Sequence, residues 1–221
     1  QNKIIMEKVI LIGTGGHAAE VREYIHYHNR LKPEQAFELL GFIDVNNELH
    51  TKYSYKEPFL GAVEDHTIRQ NVQYMFCFGN MIYKQQLVKL FKDAGAKFLT
   101  LIHPTALIAE SCSIGEGVLI SHNASVGPMA VIGDFNILNS RCTIGHDTTL
   151  ENYNFISPQV SLSGNTSIGS HNMFGVNSAT IPGVTIGNNN TIGAGSIITR
   201  NVAHNAIVVG VPGKKIKTKE I

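Results

Sequence analysis

Residues 108–150 carry the pattern that decides the fold, and in groups of six they read IAESCS IGEGVL ISHNAS VGPMAV IGDFNI LNSRCT IGHDTT L. Each group opens with Ile, Leu or Val, and the same phase continues in steps of six from Ile108 to Ile198. Thr180 is the one position of the sixteen in this series that is not apolar. A sustained six-residue repeat predicts a parallel β-helix, in which each unit supplies one short strand and one turn.

Two other residue types recur at fixed places in the repeat. Gly directly follows the apolar residue at eight positions, and small residues such as Ala124 and Ala130 recur two residues before it. We expect the apolar and small side chains to fill the interior, and Gly or Asn to supply unusual backbone angles at the corners. Cys112 and Cys142 occupy the small inward position, so we interpret them as packing residues. Because no insertion interrupts the phase, the sequence predicts a smooth prism without a long loop.

The first hundred residues follow a different rule, in which apolar runs alternate with helical patterns. Residues 9–13, 39–46 and 74–80 are predicted strands, and amphipathic helices are predicted after Gly13 and over residues 84–98, the latter ending at Gly95. This alternation predicts a small parallel α/β sheet that resembles half of a Rossmann fold. The predicted domains are an α/β domain over residues 6–104, a β-helix over 105–200 and a C-terminal tail over 201–221.

Composition excludes several classes of protein. The 18 basic and 17 acidic residues give a formal net charge of +1, which is no general electrostatic footprint for nucleic acid. No apolar run approaches the roughly 18 residues that a membrane-spanning helix needs. The three cysteines form neither a disulfide framework nor a C-x-x-C pair, which favours a reducing, cytoplasmic location. Residues 1–5 precede Met6, and we interpret them as an extension foreign to the native protein.

The turn Gly13-Thr14-Gly15-Gly16-His17 is a candidate anion site, because backbone N–H groups at a strand-to-helix turn favour phosphate. A dinucleotide fingerprint would require Gly where Ala18 stands. Asp44 ends the second predicted strand, where an acid accepts hydrogen bonds from ribose hydroxyls. Since one small α/β unit is half of a dinucleotide-binding domain, we predict a nucleotide-linked ligand with one pyrophosphate. The alternative is that the glycines serve only tight packing.

Two of the ten histidines, His122 and His146, occupy equivalent positions, each two residues after an apolar repeat residue. Asp147 follows His146, whereas the neutral Asn123 follows His122. A carboxylate beside an imidazole fixes its tautomer and raises its basicity, as a general base near neutral pH requires. Spacing alone leaves open whether adjacent side chains meet or point apart. No histidine pair has a zinc-binding spacing, so no metal site is predicted. For the remaining histidines we expect solvent exposure at His26, His28, His50 and His66 and a structural role at His103.

Taken together, these motifs resemble one family. The repeat is similar to the left-handed β-helix of hexapeptide acyltransferases, which implies left-handed coils of three strands and about five turns. From Met6 onward the chain resembles nucleotide-sugar and sialic-acid O- or N-acetyltransferases, the group that contains the bacillosamine-pathway N-acetyltransferase. The matching features are GTGGH at residues 13–17, Asp44, LIHPTALI at 101–108, the segment from Asn139 to Asp147, VSLSGNTSIG at 160–169 and GVPGK at 210–214.

The resemblance implies an enzyme that transfers an acetyl group from acetyl-CoA, its co-substrate, to an amine of a nucleotide-linked amino-dideoxy sugar. It implies a homotrimer with acetyl-CoA between neighbouring β-helices, no metal, and a place in surface polysaccharide or glycan biosynthesis. The site residues that it implies are His146 as general base, Asp147 as the residue that raises its basicity, Gly164 as the N–H donor to the thioester carbonyl, Asn139 as a substrate contact, and Gly15, Gly16, His17, Asp44 and Gly79 as nucleotide-sugar contacts.

The residues leave several alternatives open. Val45 stands where relatives can carry a second acid, so recognition of the base and ribose differs here, and the nucleotide can be UDP, dTDP or GDP. GVPGK stands where GVPAK is the commoner form, which we expect to have no effect. An alternative enzyme is an O-acetyltransferase of sialic acid or another sugar. A non-enzymatic alternative is a β-helix that only scaffolds a complex.

Overall fold

A computed structural model describes residues 6–219 and divides the chain into two compact units that meet in sequence between Leu99 and Thr100. The division falls earlier than the predicted boundary between residues 104 and 105, because Leu101 already pairs with Leu119 in the repeat. Residues 1–5, which we interpreted as a foreign extension, lie outside the described residues. Within residues 6–219 every helix falls short of what a membrane-crossing helix requires in length and apolarity.

The first unit is a parallel five-stranded sheet with helices between its strands. Its elements are β1 (Glu7–Ile12), α1 (Gly16–Leu31), a 3-10 turn (Pro33–Gln35), β2 (Phe37–Asp44), α2 (Glu48–Tyr53), β3 (Phe59–Ala62), β4 (Val72–Phe76), α3 (Met81–Asp93) and β5 (Lys97–Phe98). The strand order is β3-β2-β1-β4-β5, so the order reverses between β1 and β4. The predicted parallel sheet is confirmed, whereas α2 and β3 were not predicted because both are short and lack a clear apolar period.

Helix α1 buries one stripe of side chains that includes Val21, Ile25 and His28. His28 is only 8% exposed, and its Nε2 lies 3.2 Å from the carbonyl oxygen of Gln35. Burial lowers the pKa of this imidazole. The expectation of solvent exposure was therefore wrong for His28, because its helical spacing from Val21 and Ile25 places it on the buried face.

The second unit is a stack of short strands that follow the repeat. Its strands are β6 (Leu101–Ile102), β7 (Leu107–Ile108), β8 (Ser113–Ile114), β9 (Leu119–Ile120), β10 (Ser125–Val126), β11 (Val131–Ile132), β12 (Ile137–Leu138), β13 (Thr143–Ile144), β14 (Thr149–Leu150), β15 (Phe155–Ile156), β16 (Ser161–Leu162), β17 (Ser167–Ile168), β18 (Met173–Phe174), β19 (Ala179–Thr180), β20 (Thr185–Ile186), β21 (Thr191–Ile192), β22 (Ile197–Ile198), β23 (Ala206–Val209) and β24 (Lys214–Thr218). Every third strand belongs to the same sheet, which gives a prism with three faces.

We call the sheet that begins with β6 face 1, the sheet that begins with β7 face 2 and the sheet that begins with β8 face 3. Paired residues within a face are eighteen apart, as in Ser125↔Thr143, and the pairing is parallel. The repeat residues point inward and form one apolar core, in which Leu138, Ile156 and Phe174 are fully buried. The unit is thus the expected left-handed parallel β-helix with three strands per coil. The 1–2, 2–3 and 3–1 corners are the turns that follow faces 1, 2 and 3.

The C-terminal residues do not form the separate tail that was predicted over 201–221. Strand β23 pairs in parallel with β21 and so extends face 1, and β24 pairs antiparallel with β23. Val202 makes a parallel bridge to Ile186 of face 3. The described part of this segment therefore closes one end of the prism, because its apolar residues continue the core after the six-residue phase has ended.

The unusual backbone angles occur at the third residue after the inward position, not at the Gly that directly follows it. Positive φ occurs along the corners at Asn123, Met129, Phe135, Arg141, Asp147, Tyr153, Gln159, Asn165, His171, Asn177, Asn189, Gly117, Gly183 and Gly195. The Gly after the inward residue instead allows close approach of the next coil. A Cβ at Gly127 would lie 2.7 Å from the backbone nitrogen of His146. The predicted corner role holds for several asparagines and was wrong for these glycines.

A column of buried asparagines runs along the 3–1 corner, formed by Asn136, Asn154, Asn172 and Asn190. The Oδ1 atom of each accepts the backbone N–H one coil later, as in the 2.8 Å bond from Asn172 N to Asn154 Oδ1. The Nδ2 group of Asn154 also donates to the carbonyl oxygen of Glu151 at 2.9 Å. The column therefore satisfies backbone groups that would otherwise be buried without partners.

We predict that Asn154→Leu destabilises the protein strongly. Leu has a similar branched shape but leaves the Asn172 N–H unpaired in the interior, whereas the Glu151 carbonyl keeps its hydrogen bond from Asn136 Nδ2. At about 1–3 kcal/mol for one unsatisfied buried group, the free energy of unfolding should fall by about 1–3 kcal/mol. Urea denaturation followed by circular dichroism measures this change. Thr149→Ala, an exposed position on face 3, is the control and should change the unfolding free energy by less than about 0.5 kcal/mol.

Candidate functional site

In the first unit, the glycine-rich turn is held to the end of β2 by Asp44. The backbone N–H and the hydroxyl of Thr14 both donate to Asp44 Oδ2, at 2.8 and 2.6 Å. The other oxygen, Oδ1, accepts the N–H of Val45 at 2.7 Å. The residue that the sequence suggested as a ribose contact thus first fixes the shape of the turn. Because each carboxylate oxygen has two lone pairs, Oδ1 retains one for a ligand hydroxyl.

A cavity of about 450 Å³ opens at the carboxyl ends of β1, β2 and β4. This is the place where the strand order reverses, and open α/β sheets bind their ligands there. The predicted residues Gly15, Gly16, His17 and Asp44 line the cavity, together with residues that were not predicted, including Thr14, Leu49, Phe78, Asn80 and Tyr83. Gly79 is exposed between two lining residues, Phe78 and Asn80.

The start of α1 provides the polar wall of this cavity. Gly15 caps the helix without a side-chain hydrogen bond, and no acidic residue lies in the first turn. His17 Nε2 is buried and has no hydrogen-bond partner within residues 6–219. A Cβ on Gly15 would meet only Leu49 Cδ1, at 3.6 Å, so the fold itself tolerates a side chain there. The free N–H groups and the unpaired imidazole nitrogen are suited to a phosphate.

Asn80 lines this cavity and was predictable from the sequence, although it was not among the predicted site residues. It caps α3, and its Oδ1 accepts the N–H of Tyr83 at 3.0 Å. An Asn between a strand and an amphipathic helix is a recognised helix start. The same pattern that drew attention to the first turn was therefore present after β4. Phe78 and Tyr83 carry no comparable signal, because aromatic residues near a strand end are as common in cores as in binding sites.

In the second unit, His146 and Asp147 meet at the 2–3 corner. His146 Nδ1 lies 2.7 Å from Asp147 Oδ2, and the two side chains are 61% and 52% exposed. Asp147 adopts a left-handed backbone conformation with φ of 55°, as other residues at this corner position do. Since an ionised carboxylate only accepts hydrogen bonds, Nδ1 carries the proton and Nε2 presents a lone pair. This arrangement is suited to accepting a proton.

Gly164 occupies the equivalent corner position one coil later and lies against the imidazole. A Cβ on Gly164 would lie 2.6 Å from His146 Nε2. Along the 3–1 corner the N–H at this position donates to the side chain eighteen residues on, as Asp134 N does to Asn152 Oδ1 at 2.7 Å. Pro182 stands eighteen residues after Gly164 and offers no acceptor. Among the described residues, the Gly164 N–H therefore has no partner, and Gly164 is half-buried beside the His146 ring.

The other candidates from the repeat occupy the 1–2 corner. His122 follows face 1, and its ring lies 5.8 Å from that of His103, whereas His146 follows face 2. Asn139 is 8% exposed, and its Nδ2 donates to the carbonyl oxygen of Ile156 in the next coil at 2.8 Å. Within one chain, Asn139 and His146 lie at opposite ends of β13. The structure therefore groups Gly164 with His146 and leaves Asn139 and His122 on another corner.

The cysteines are poor nucleophiles in this structure. Cys77 and Cys142 are buried, and burial raises the pKa of Cys142 to about 12. Burial also raises the pKa of Cys112, which packs against the apolar core. The interpretation of Cys112 and Cys142 as packing residues is consistent with these positions. Within residues 6–219, no three His, Cys, Asp or Glu side chains are grouped so as to hold a metal ion.

Comparison with known proteins agrees with this geometry. Residues 165–200 match the family model of the hexapeptide repeat of succinyl-transferase. UDP-N-acetylbacillosamine N-acetyltransferase of Bacillus subtilis (strain 168) is 29% identical over 119 residues, which are 52% of this chain and 51% of that protein. The match thus spans about half the length of this curated relative.

Two solved structures resemble nearly the whole chain. The acetyltransferase domain of PglB from Neisseria gonorrhoeae FA1090 in complex with acetyl coenzyme A has a TM-score of 0.82 and 25% identity, covering 96% of this chain and 100% of that chain. A mutant of perosamine N-acetyltransferase from Caulobacter crescentus in complex with CoA and GDP-perosamine has a TM-score of 0.81 and 26% identity, covering 97% of this chain and 99% of that chain.

The inward apolar series and the eighteen-residue coils form a left-handed parallel β-helix, and these matches show that the chain is similar to hexapeptide-repeat proteins. Within that class it is similar to sugar N-acetyltransferases that carry the same α/β unit ahead of the prism. The resemblance found in the sequence is thereby confirmed.

We predict that Gly164→Ala displaces the His146 ring. The new methyl group would overlap the ring, which is exposed and free to rotate away, so the coil itself should remain folded. NMR spectra of the imidazole should show shifted Hδ2 and Hε1 resonances for His146, with most backbone amide signals unchanged. Gly15→Ala, where the methyl group has room, is the matched control and should leave the His146 signals in place. Unchanged His146 signals in Gly164→Ala would contradict the close contact.

Proposed function

We propose that this protein is an acetyl-CoA-dependent N-acetyltransferase that acts on the amino group of a nucleotide-linked amino-dideoxy sugar. The observation that carries the proposal is the pairing of His146 and Asp147 beside the unpartnered N–H of Gly164. A base and an oxyanion donor at one corner are what acyl transfer requires. The similarity to sugar N-acetyltransferases, and the CoA and GDP-perosamine complex of one of them, support the same conclusion.

In the proposed reaction the free sugar amine attacks the thioester carbonyl of acetyl-CoA. As the new C–N bond forms, His146 Nε2 accepts a proton from the amine, and the carbonyl oxygen becomes an oxyanion that the Gly164 N–H stabilises. Loss of one such preorganised donor costs about 3 kcal/mol. The tetrahedral intermediate then collapses, its C–S bond breaks, and CoA leaves as a thiolate that takes the proton from His146. The products are the acetamido sugar and CoA, and no covalent enzyme intermediate is formed.

The cavity of the first unit is the proposed site of the nucleotide diphosphate. The N–H groups at the start of α1 and the unpaired His17 Nε2 provide donors for the pyrophosphate, and Asp44 Oδ1 keeps an acceptor site for a ribose hydroxyl. The relatives act on or bind UDP- and GDP-linked sugars, so the choice among UDP, dTDP and GDP is a matter for direct binding measurements. An O-acetyltransferase would instead acetylate a sugar hydroxyl, and a pure scaffold would bind neither substrate.

We predict that His146 is the general base. His146→Ala should lower kcat by about 10²–10⁴-fold with little change in either KM, because the base acts on the transition state. Asp147→Asn should lose less, because it removes the partner of the base but not the base. The matched control is His122→Ala, at the same repeat position on another corner, which should change kcat by less than about tenfold. A crippled His122→Ala together with a near-normal His146→Ala would overturn the assignment.

We predict that Gly15→Val closes the nucleotide site without unfolding the protein. The side chain would fill space at the start of α1 that the fold leaves open. The KM for the nucleotide sugar should rise at least tenfold, whereas the Kd for acetyl-CoA should stay within about twofold. Equal losses for both ligands would point to general unfolding, and an unchanged sugar KM would remove Gly15 from the site.

We propose a homotrimer, because large apolar side chains are exposed on both sides of the 2–3 corner. Leu107, Met129, Val131 and Ile181 are 74%, 62%, 47% and 40% exposed. Exposed apolar residues of this kind mark interaction surfaces. Light scattering at micromolar concentration should give a mass about three times the 24.1 kDa of the chain. A stable mass equal to one chain would contradict the proposal. The cytoplasmic location suggested by cysteine usage stays a prediction.

A further inference from the structure

Thr180, the one polar residue of the inward series, lies one coil beyond the peptide that supplies the proposed oxyanion donor. Its side chain is 3% exposed. In an ordinary step of face 2, the residue after the inward position donates its N–H to a backbone carbonyl one coil on, as Gly145 does to Leu162 at 2.7 Å. Here the N–H of Ser163 donates instead to the Thr180 hydroxyl, Oγ1, at 2.9 Å.

The strand ladder changes at this point and is regular on either side of it. Strands β16 and β19 pair only at Ser161↔Ala179. The steps before and after, β13 with β16 and β19 with β22, each pair at two residues. The Thr180 hydroxyl has thus replaced one backbone acceptor, and the local change falls on the residue that precedes Gly164.

Every polar atom of Ser163 has a partner in Thr148, Thr166 or Thr180. Its carbonyl oxygen accepts the hydroxyl of Thr166 at 2.6 Å and that of Thr148 at 3.0 Å, and both threonines are fully buried. Its own Oγ donates to the Thr180 carbonyl at 2.6 Å. Because the Thr166 proton is used on Ser163, the 3.5 Å contact between Thr166 Oγ1 and Thr180 Oγ1 has Thr180 as its donor. The hydroxyls of Thr166 and Thr180 and the Ser163 backbone therefore form a closed circuit, and the Thr148 hydroxyl adds a second bond to its carbonyl.

This circuit determines the direction of the Gly164 N–H. In a trans peptide the C=O and the following N–H point in opposite directions. Since the Ser163 carbonyl is held by the buried hydroxyls of Thr166 and Thr148, the Gly164 N–H points away from them, and Gly164 itself lies against the His146 ring. Hydrogen bonds accepted by a carbonyl also polarise its peptide and strengthen the N–H as a donor.

We propose that Thr180 is a positioning residue for catalysis, which orients and polarises the Ser163–Gly164 peptide so that its N–H can bind the oxyanion. The inference rests on the proposed acetyl transfer and assigns the one break in the apolar series to it. An aliphatic residue at position 180 would satisfy the core equally well. Without the hydroxyl, the Ser163 N–H would pair with a backbone carbonyl, as the equivalent N–H groups of face 2 do. This change of partner would rotate the Ser163–Gly164 peptide.

The test compares Thr180→Val with Thr180→Ser in the full chain. Valine keeps the shape and removes the hydroxyl, so kcat should fall about 10- to 100-fold, less than the 10²–10³-fold cost of deleting an oxyanion donor. Both KM values should stay within about twofold, and the melting temperature should not fall. Serine keeps the hydroxyl and should retain most of kcat. Ser178→Ala, which removes a buried hydroxyl bonded to the Gly175 carbonyl on another corner, is the matched control and should leave kcat unchanged.

A second readout does not depend on activity. The ¹⁵N and ¹H shifts of the Gly164 amide, measured without substrates, should change in Thr180→Val and stay unchanged in Ser178→Ala. Thr166→Val removes the hydroxyl that donates to the Ser163 carbonyl, so it should also shift the Gly164 amide signals and lower kcat. This variant replaces Thr180→Val in the test if Thr180→Val does not fold. Wild-type kcat or an unshifted Gly164 amide in Thr180→Val would overturn the inference, as would equal losses in Thr180→Val and Thr180→Ser. Undiminished acetylation by His146→Ala would instead overturn the proposed mechanism, and the amide shift would still decide the role of Thr180.

Discussion

The backbone hydrogen bonds that hold residues eighteen apart in register are the constraint on which the rest of the second unit depends. They fix every coil relative to the next, so that side chains at equivalent positions form columns along a face or corner. The buried asparagines of the 3–1 corner use this register to satisfy backbone groups. The 2–3 corner uses the same register to place Gly164 over His146. Stability and chemistry thus follow from one repeat distance.

The periodicity predicted the β-helix because an inward apolar series has few other physical solutions. It also placed His146 and Asp147 next to each other at one corner, but it carried no information on side-chain direction, so it could not predict that the two side chains meet at 2.7 Å. The role of the glycines that directly follow the inward residue was predicted wrongly. They lack a side chain because the neighbouring coil leaves no room for one, and this contact is with residues distant in sequence. Phe78 and Tyr83 could not be predicted because residues of one cavity come from strand ends that are distant in sequence and these two carry no local signal.

Asp44 and Asp147 have the same side chain but different roles, because their burial and their hydrogen-bond partners differ. Asp44 accepts three hydrogen bonds from Thr14 and Val45, so the glycine-rich turn has its shape before any ligand binds. Asp147 uses one oxygen on the His146 ring and is otherwise open to water. Both carboxylates act mainly by orienting a neighbour. The preorganisation they provide reduces the entropy that substrate binding must offset.

His146 and Gly164 occupy equivalent positions in consecutive coils, so the distance between their backbones is set by the spacing of adjacent β-strands, about 4.8 Å. That spacing is among the least variable lengths in proteins, because it is the length of a backbone hydrogen bond plus the peptide groups it joins. The prism therefore fixes the backbone interval between the proposed base and the proposed amide donor. Substitutions at the corners can change the side chains that are presented there, while the interval between adjacent coils stays the same.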